Sequence, residues 1–283
     1  MDSIMLSVSS ALSSFLHTRH IANATFHFSE IPSAELLDSI VRWFDQPKSK
    51  SRKRISGQLL AGSTRLFAKS QLLDSLKSRW RVTLGRQTAG GRYDWAVEEL
   101  YNMLAASERG IPSHSIVGFG YIRRGVGLVQ ETLLLTELLD DYTKGQAWLE
   151  CNPTRAHWFV QQALELLRKS NAKSIYHMDV SAFNIMLNEK AVEPMNLIDM
   201  ENCFVEPTRY PTETLAFQIG FLYRRDLYKF ITEAEYDTLV YCALARKTLD
   251  VSRFNAFYTP CKHENIVRKE RRRIFPEGKL DMN

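Results

Sequence analysis

The feature that most restricts what this chain can fold into is the run His177-Met178-Asp179-Val180-Ser181-Ala182-Phe183-Asn184-Ile185-Met186-Leu187, followed by Asn196-Leu197-Ile198-Asp199-Met200-Glu201. The first run has the form H-x-D-x-x-x-x-N leading into apolar residues. In that form the aspartate is placed to take a hydroxyl proton and the asparagine to hold a magnesium ion. Asp199 supplies a second carboxylate for the metal, and Glu201 adds to it. Short apolar runs at 174–176, 185–187 and 195–198 flank both carboxylates, as expected where strands feed a catalytic loop and a metal loop. The separation of Asp179 and Asp199, 199 − 179 = 20 residues, suits a hairpin between them. The pattern reads as a phosphoryl-transfer site, with His177 supporting the loop by packing and hydrogen bonding.

The rest of the composition narrows the setting. A chain of 283 residues, 45% hydrophobic and 11% aromatic, can bury a substantial core, and it has no internal repeat. Cys151, Cys203, Cys242 and Cys261 are far apart and form no C-x-x-C, so neither a zinc site nor a disulfide framework is indicated, and a reducing compartment fits best. The formal charge of +5 and pI near 9.0 favour an anionic partner. The basic runs lack interleaved aromatics, which argues against nucleic acid. No stretch of 18 consecutive apolar residues occurs, and residues 1–20 carry no basic n-region, so the expectation is neither a spanning helix nor a cleaved signal but a cytoplasmic protein.

Along the chain, Ile4, Val8, Leu12 and Phe15 mark an amphipathic helix over residues 3–16, and Ser33 caps a second helix ending at Phe44. Five basic residues within 48–54 form a loop. The segment from Gly57 to Thr64 imitates a P-loop, but Ser63 stands where the phosphate-gripping lysine belongs. It reads better as a strand, a tight turn at Gly62 and a second strand carrying Lys69, which follows an apolar pair as a kinase nucleotide lysine does. A helix over 93–107 offers Glu98 and Glu99 to pair with Lys69, and the offset to Gly110-Ile111-Pro112 favours Glu99. Residues 117–121 and 128–139 form a hairpin whose second strand runs into an acidic segment, suited to a hinge for adenine at Glu137. Asn152-Pro153 starts a helix that precedes the catalytic loop.

Departures from protein kinases are equally informative. Position 178 is Met, position 181 is Ser, Asp-Met-Glu follows Ile198, and the next helical pattern resumes after about a dozen residues. Neither an activation-loop docking cation nor a peptide platform is provided, so a small-molecule or glycolipid acceptor is expected. The order Phe67-Ala68-Lys69, Glu99, Gly110-Ile111-Pro112, Leu134-Leu135-Thr136-Glu137, residues 177–187, Leu197-Ile198-Asp199 and Arg224-Arg225-Asp226-Leu227 resembles the bacterial lipopolysaccharide kinase family, the heptose and Kdo kinases.

That resemblance implies an α+β, bilobal protein-kinase-like fold with a small antiparallel-sheet N-lobe and a mainly helical C-lobe. It also implies ATP with Mg2+, and transfer of phosphate to a sugar hydroxyl of a lipid-anchored, anionic acceptor at the cytoplasmic face of the inner membrane. Lys69, Glu99 and Glu137 would then bind ATP, Asn184 and Asp199 the metal, with Asp179 catalytic and His177 and Glu201 supporting. The expected organisation is a helical extension over 1–45, an N-lobe over 46–139, a C-lobe over 140–260 and a basic tail over 261–283. The tail has seven basic and four acidic side chains, and Arg271, Arg272 and Arg273 read either as an ordinary solvated face or, with an anionic glycolipid acceptor, as a cluster that holds the protein peripherally at the membrane. The competing readings are a soluble phosphotransferase similar to aminoglycoside or choline kinases, and a partner-binding pseudokinase.

Overall fold

A computed structural model describes residues 15–46, 53–88, 91–245 and 249–280. The chain divides into two compact units, the first holding residues up to Ser107 together with His114–Leu139, the second Glu108–Ser113 and the residues from Asp140 onward.

The first unit is built on a six-stranded antiparallel sheet. Its strands are β1 (His17–Ile21), β2 (Ala24–Phe28), β3 (Arg54–Ala61), β4 (Thr64–Leu72), β5 (Ile116–Arg124) and β6 (Leu128–Glu137), in the order β1-β2-β5-β6-β4-β3. Two-residue turns join β3 to β4 and β1 to β2, and Gly62 takes the left-handed φ of +60° that the first of them requires. Alternation along β4 sends Leu66, Ala68 and Ser70 to one face and Lys69 to the other.

Helix α1 (Ala34–Phe44), capped by the Ser33 hydroxyl, lays Leu36, Ile40 and Trp43 on the first face among Phe26, Phe28, Leu66, Ala68, Leu133 and Leu135. Two hydrogen bonds fix it there, Trp43 Nε1–H to Ser70 Oγ at 3.2 Å and Ser39 Oγ–H to the Leu60 carbonyl at 2.6 Å. Helix α2 (Leu76–Thr83) follows β4, and α3 (Trp95–Glu108) buries Val97, Glu99, Leu100, Met103 and Ala106.

This corrects the expected helical extension. Residues 17–44 are not a separate appendage but two strands and a helix of the first unit. Strand β1 is mostly exposed and reads HTRHI, so the apolar alternation that announces a strand is confined to Phe26 and Phe28 of β2. Most of the amphipathic helix predicted over 3–16, and the body of the basic loop over 48–54, lie outside the described residues. Arg54, assigned to that loop, begins β3.

The second unit is mainly helical. Short strands β7 (Thr143–Lys144), β8 (Tyr176–His177), β9 (Ile185–Leu187), β10 (Met195–Leu197) and β11 (Cys203–Phe204) accompany helices α4 (Gly145–Cys151), α5 (Ala156–Ala172), α6 (Pro211–Arg225), α7 (Glu233–Leu244), α8 (Val251–His263) and α9 (Arg268–Glu277). The helix expected after Asn152-Pro153 is preceded by a 3-10 turn over Pro153–Arg155. Helix α6 is the centre of this unit, with every residue from Glu213 to Tyr223 buried.

The tail is a second correction. Residues 268–277 form α9, which inserts Ile274 and Phe275 into a core with Tyr176, Met178, Phe217 and Phe221. The Phe275 ring stacks on Phe204 at a centroid distance of 3.9 Å. The helix ends in a left-handed cap at Gly278, where a Cβ would fall 2.3 Å from the Tyr210 ring.

Candidate active site

In the first unit, Lys69 reaches from β4 to Glu99 on α3, Nζ to Oε1 at 2.5 Å, with the Glu99 side chain 1% and the Lys69 side chain 11% exposed. Glu98 is engaged elsewhere, accepting from Arg92 Nε at 2.9 Å and from the Tyr93 backbone N–H at 2.8 Å. Glu99 is therefore the partner of Lys69. Glu137 closes β6 with an exposed side chain, and its backbone N–H donates to the Ser115 carbonyl at 3.0 Å.

In the second unit, two short ladders hold together the segments that carry Asp179 and Asp199. Strand β9 pairs with β10 through Ile185 opposite Leu197, and the Ile198 N–H continues the ladder to the Asn184 carbonyl at 3.0 Å. Strand β8 pairs with β11 through His177 opposite Cys203, and the Met178 N–H bonds the Asn202 carbonyl at 2.9 Å. Residues 178–184 and 198–202 are thus loops tied at both ends.

His177 crosses between them. It is fully buried, with Nε2 3.0 Å from the Ile198 carbonyl and Nδ1 3.1 Å from the Asp179 backbone N–H. Nδ1 must accept from Asp179, so Nε2 carries the proton and donates to Ile198. Burial pushes its pKa below the ordinary histidine value, which agrees with a neutral ring that serves as a strut.

Asn184 is equally committed. Its Nδ2 donates to the Asp179 carbonyl at 2.9 Å, which assigns Oδ1 as the atom left for a ligand. Asp199 adopts the left-handed conformation, φ 59° and ψ 52°, a region sparsely used by residues other than glycine and typical of functional positions. Asp199 and Glu201 each offer a carboxylate oxygen, the two within 4.8 Å of one another.

The donor set of this unit is an amide oxygen and two carboxylates, all hard oxygen ligands, which fits Mg2+ and not a thiophilic metal. Asn184, Asp199 and Glu201 are the residues that would hold it. A bound magnesium would neutralise charge on transferring phosphate oxygens.

Residues outside the predicted set complete the framework. Asp226, at the end of α6, is 1% exposed and its Oδ2 accepts from the Ala182 N–H at 3.1 Å. Burial raises its carboxyl pKa against the lowering effect of Arg225 and the backbone N–H groups. Gln218, also on α6, donates from Nε2 to the His177 carbonyl at 3.2 Å and accepts from Asn171 Nδ2 at 2.7 Å. The signal in the sequence was an amide, Gln218, inside an otherwise apolar helical run, and an acid, Asp226, directly after its closing Arg224-Arg225.

Helix α9 contributes as well, contrary to its reading as a solvated cationic surface. Arg271 Nη1 pairs with Asp179 Oδ1. Arg268 Nη2 meets Glu201 at 2.9 Å, and both Arg268 and Arg272 donate to Asn202 Oδ1. Arg273 pairs with Glu277 one turn on. Arg271 and Arg272 follow Arg268 by three and four residues, one turn on, so the carboxylates and amide of the two loops draw three guanidinium groups inward. No described helix is long and apolar enough to cross a membrane.

Comparison with known proteins agrees with this construction. The model of the lipopolysaccharide kinase (Kdo/WaaP) family matches residues 35–241. Among solved structures, WaaP in complex with acyl carrier protein shares 16% identity at a TM-score of 0.52, covering 78% of this chain and 88% of that chain. The bifunctional kinase-methyltransferase WbdD is similar at 14% identity and a TM-score of 0.45, covering 90% of this chain and 51% of that one. No curated protein sequence matches the chain. With the family model spanning both units and the WaaP likeness giving the protein-kinase-like fold, the chain belongs to the lipopolysaccharide kinase (Kdo/WaaP) family.

Proposed function

We propose that this kinase transfers the terminal phosphate of ATP to a sugar hydroxyl of the lipopolysaccharide inner core, a heptose or Kdo, or of a related glycolipid. Phosphoryl transfer asks little covalent work of a protein, so positioning and charge neutralisation carry the catalysis. Asp179 orients the acceptor hydroxyl and receives its proton. Lys69, held by Glu99, binds the ATP phosphates, and the backbone around Glu137 receives the adenine. Asn184 and Asp199 hold magnesium, with Glu201 beside them, and His177, Gln218 and Asp226 keep the catalytic loop in register. The lipid anchor of such an acceptor calls for a peripheral encounter at the cytoplasmic face of the inner membrane.

The observation that carries this reading is the Asp179–Asn184 arrangement, in which the asparagine amide is spent on the Asp179 carbonyl and its oxygen is left for a cation. The test is mass spectrometry of core oligosaccharide from cells with and without the protein. A single phosphate lost in its absence, and restored by the parent sequence but not by Asp179→Asn, is the expected result. Identical core from both strains would overturn the assignment of acceptor.

A further inference from the structure

Arg271 is the cation that touches the predicted base, and the function proposed above gives it no task. It is firmly held. Its side chain is 14% exposed, its guanidinium carbon lies 4.8 Å from the Phe221 ring centroid, and its helix is pinned by Ile274 and Phe275. Of its donors, Nη1 is engaged by Asp179 Oδ1, while Nε is buried with no hydrogen-bond partner. Position 178, beside Asp179, is Met, so the tail supplies a cation that the catalytic loop lacks.

The paired arrangement is poorly suited to reaction. Arg271 occupies one of the two oxygens with which Asp179 could receive a hydroxyl proton, so an acceptor hydroxyl meets a carboxylate with one oxygen already spent. A group that draws the guanidinium toward itself would release that oxygen. Arginine's planar fork matches phosphate and carboxylate above other ligands, and a guanidinium turned from Asp179 can present its Nη donors to a second anion.

We propose that Arg271 is a specificity-determining residue that reads an anionic group, phosphate or carboxylate, lying next to the hydroxyl to be phosphorylated. The acceptor anion takes hydrogen bonds from the guanidinium, and Asp179 Oδ1 becomes free for the hydroxyl. An acceptor without the anion meets Asp179 still paired. This inference rests on the reading of Asp179 as the acceptor-side base.

The test uses the full chain with Mg-ATP and four preparations of deacylated core oligosaccharide: native, dephosphorylated with hydrogen fluoride, carboxyl-reduced, and treated both ways. The parent protein should favour cores bearing the recognised anion by about ten- to a hundredfold in kcat/KM, the scale of a charge-assisted hydrogen bond. The arm that removes the preference identifies phosphate or carboxylate. Arg271→Gln should collapse the preference, chiefly through KM, and Arg271→Lys should restore part of it. A merely structural arginine would lower all four arms alike and leave the ratio intact, which would overturn the inference. So would a parent protein indifferent to the acceptor's charge, a result that needs no variant to fold. Transfer to no preparation at all would remove the kinase reading beneath it, whereas charge-indifferent transfer abolished by Asp179→Asn would remove only this inference.

Discussion

Residue by residue, the side chains of the site each have a committed partner. Asp179→Asn keeps the size and most contacts of the parent, so it should fold and bind ATP while turnover falls by about 10²–10⁴-fold, the usual loss for a general base. Rapid-quench turnover beside a calorimetric ATP titration would separate the two, and near-parental turnover would show that another group takes the proton. Asp226 gives a different signature. Replacing it with Ala strands the buried Ala182 N–H, at a cost of about 1–3 kcal/mol, and lets the catalytic loop drift. Urea denaturation should detect that loss in Asp226→Ala and a smaller one in Asp226→Asn, which retains an acceptor oxygen. His177 carries the pH dependence. Its folded pKa is depressed, so its contribution is present above the unfolded value near 6.5 and is lost as pH falls through the folded pKa. Between the two values stability should decline by about 1.4 kcal/mol per pH unit, and His177→Gln should flatten that slope.

At the scale of elements, legibility in the sequence followed the strength of local patterning. The β3–β4 hairpin, α1 with its Ser33 cap, α3, the β5–β6 hairpin and the strands around Asp179 and Asp199 all appear where period, turn residue or cap announced them. The misses share a cause, since each depends on a distant partner. β1 gains its place from hydrogen bonds to β2 and not from its own apolar pattern. α9 opens with Arg268-Lys269 and has no side-chain cap, an unfavourable start against the helix dipole. Only the loops it docks on explain it, which is why a basic run looked like a solvated tail. The later Ile274-Phe275 pair was the available hint of an inward face. Because α9 delivers Arg268, Arg271 and Arg272 to those loops, Phe275→Ala should destabilise the protein by about 3–5 kcal/mol and depress turnover together, as thermal unfolding and initial rates would show. A variant that loses stability with unaltered turnover would mean that α9 is packing alone.

Taken whole, the chain carries the Lys69–Glu99 pair in a sheet-based unit and the loops of Asp179, Asn184 and Asp199 in a helical unit. The family assignment rests on the match over residues 35–241, which spans both units. The acceptor does not, because sugar recognition depends on few contacts contributed by separate elements and leaves no fixed spacing in sequence. Arg271 illustrates this, standing 271 − 179 = 92 residues from the aspartate it touches. Transfer of phosphate from ATP to a sugar hydroxyl through Asp179 is checked by incubating purified protein with Mg2+, ATP carrying 18O in its terminal phosphate and deacylated core oligosaccharide. Mass spectrometry then follows the sugar. One labelled phosphate on the core is expected with the parent protein and none above background with Asp179→Asn. Unlabelled core from a parent protein that binds Mg-ATP, or equal labelling by the Asp179 variant, would contradict it.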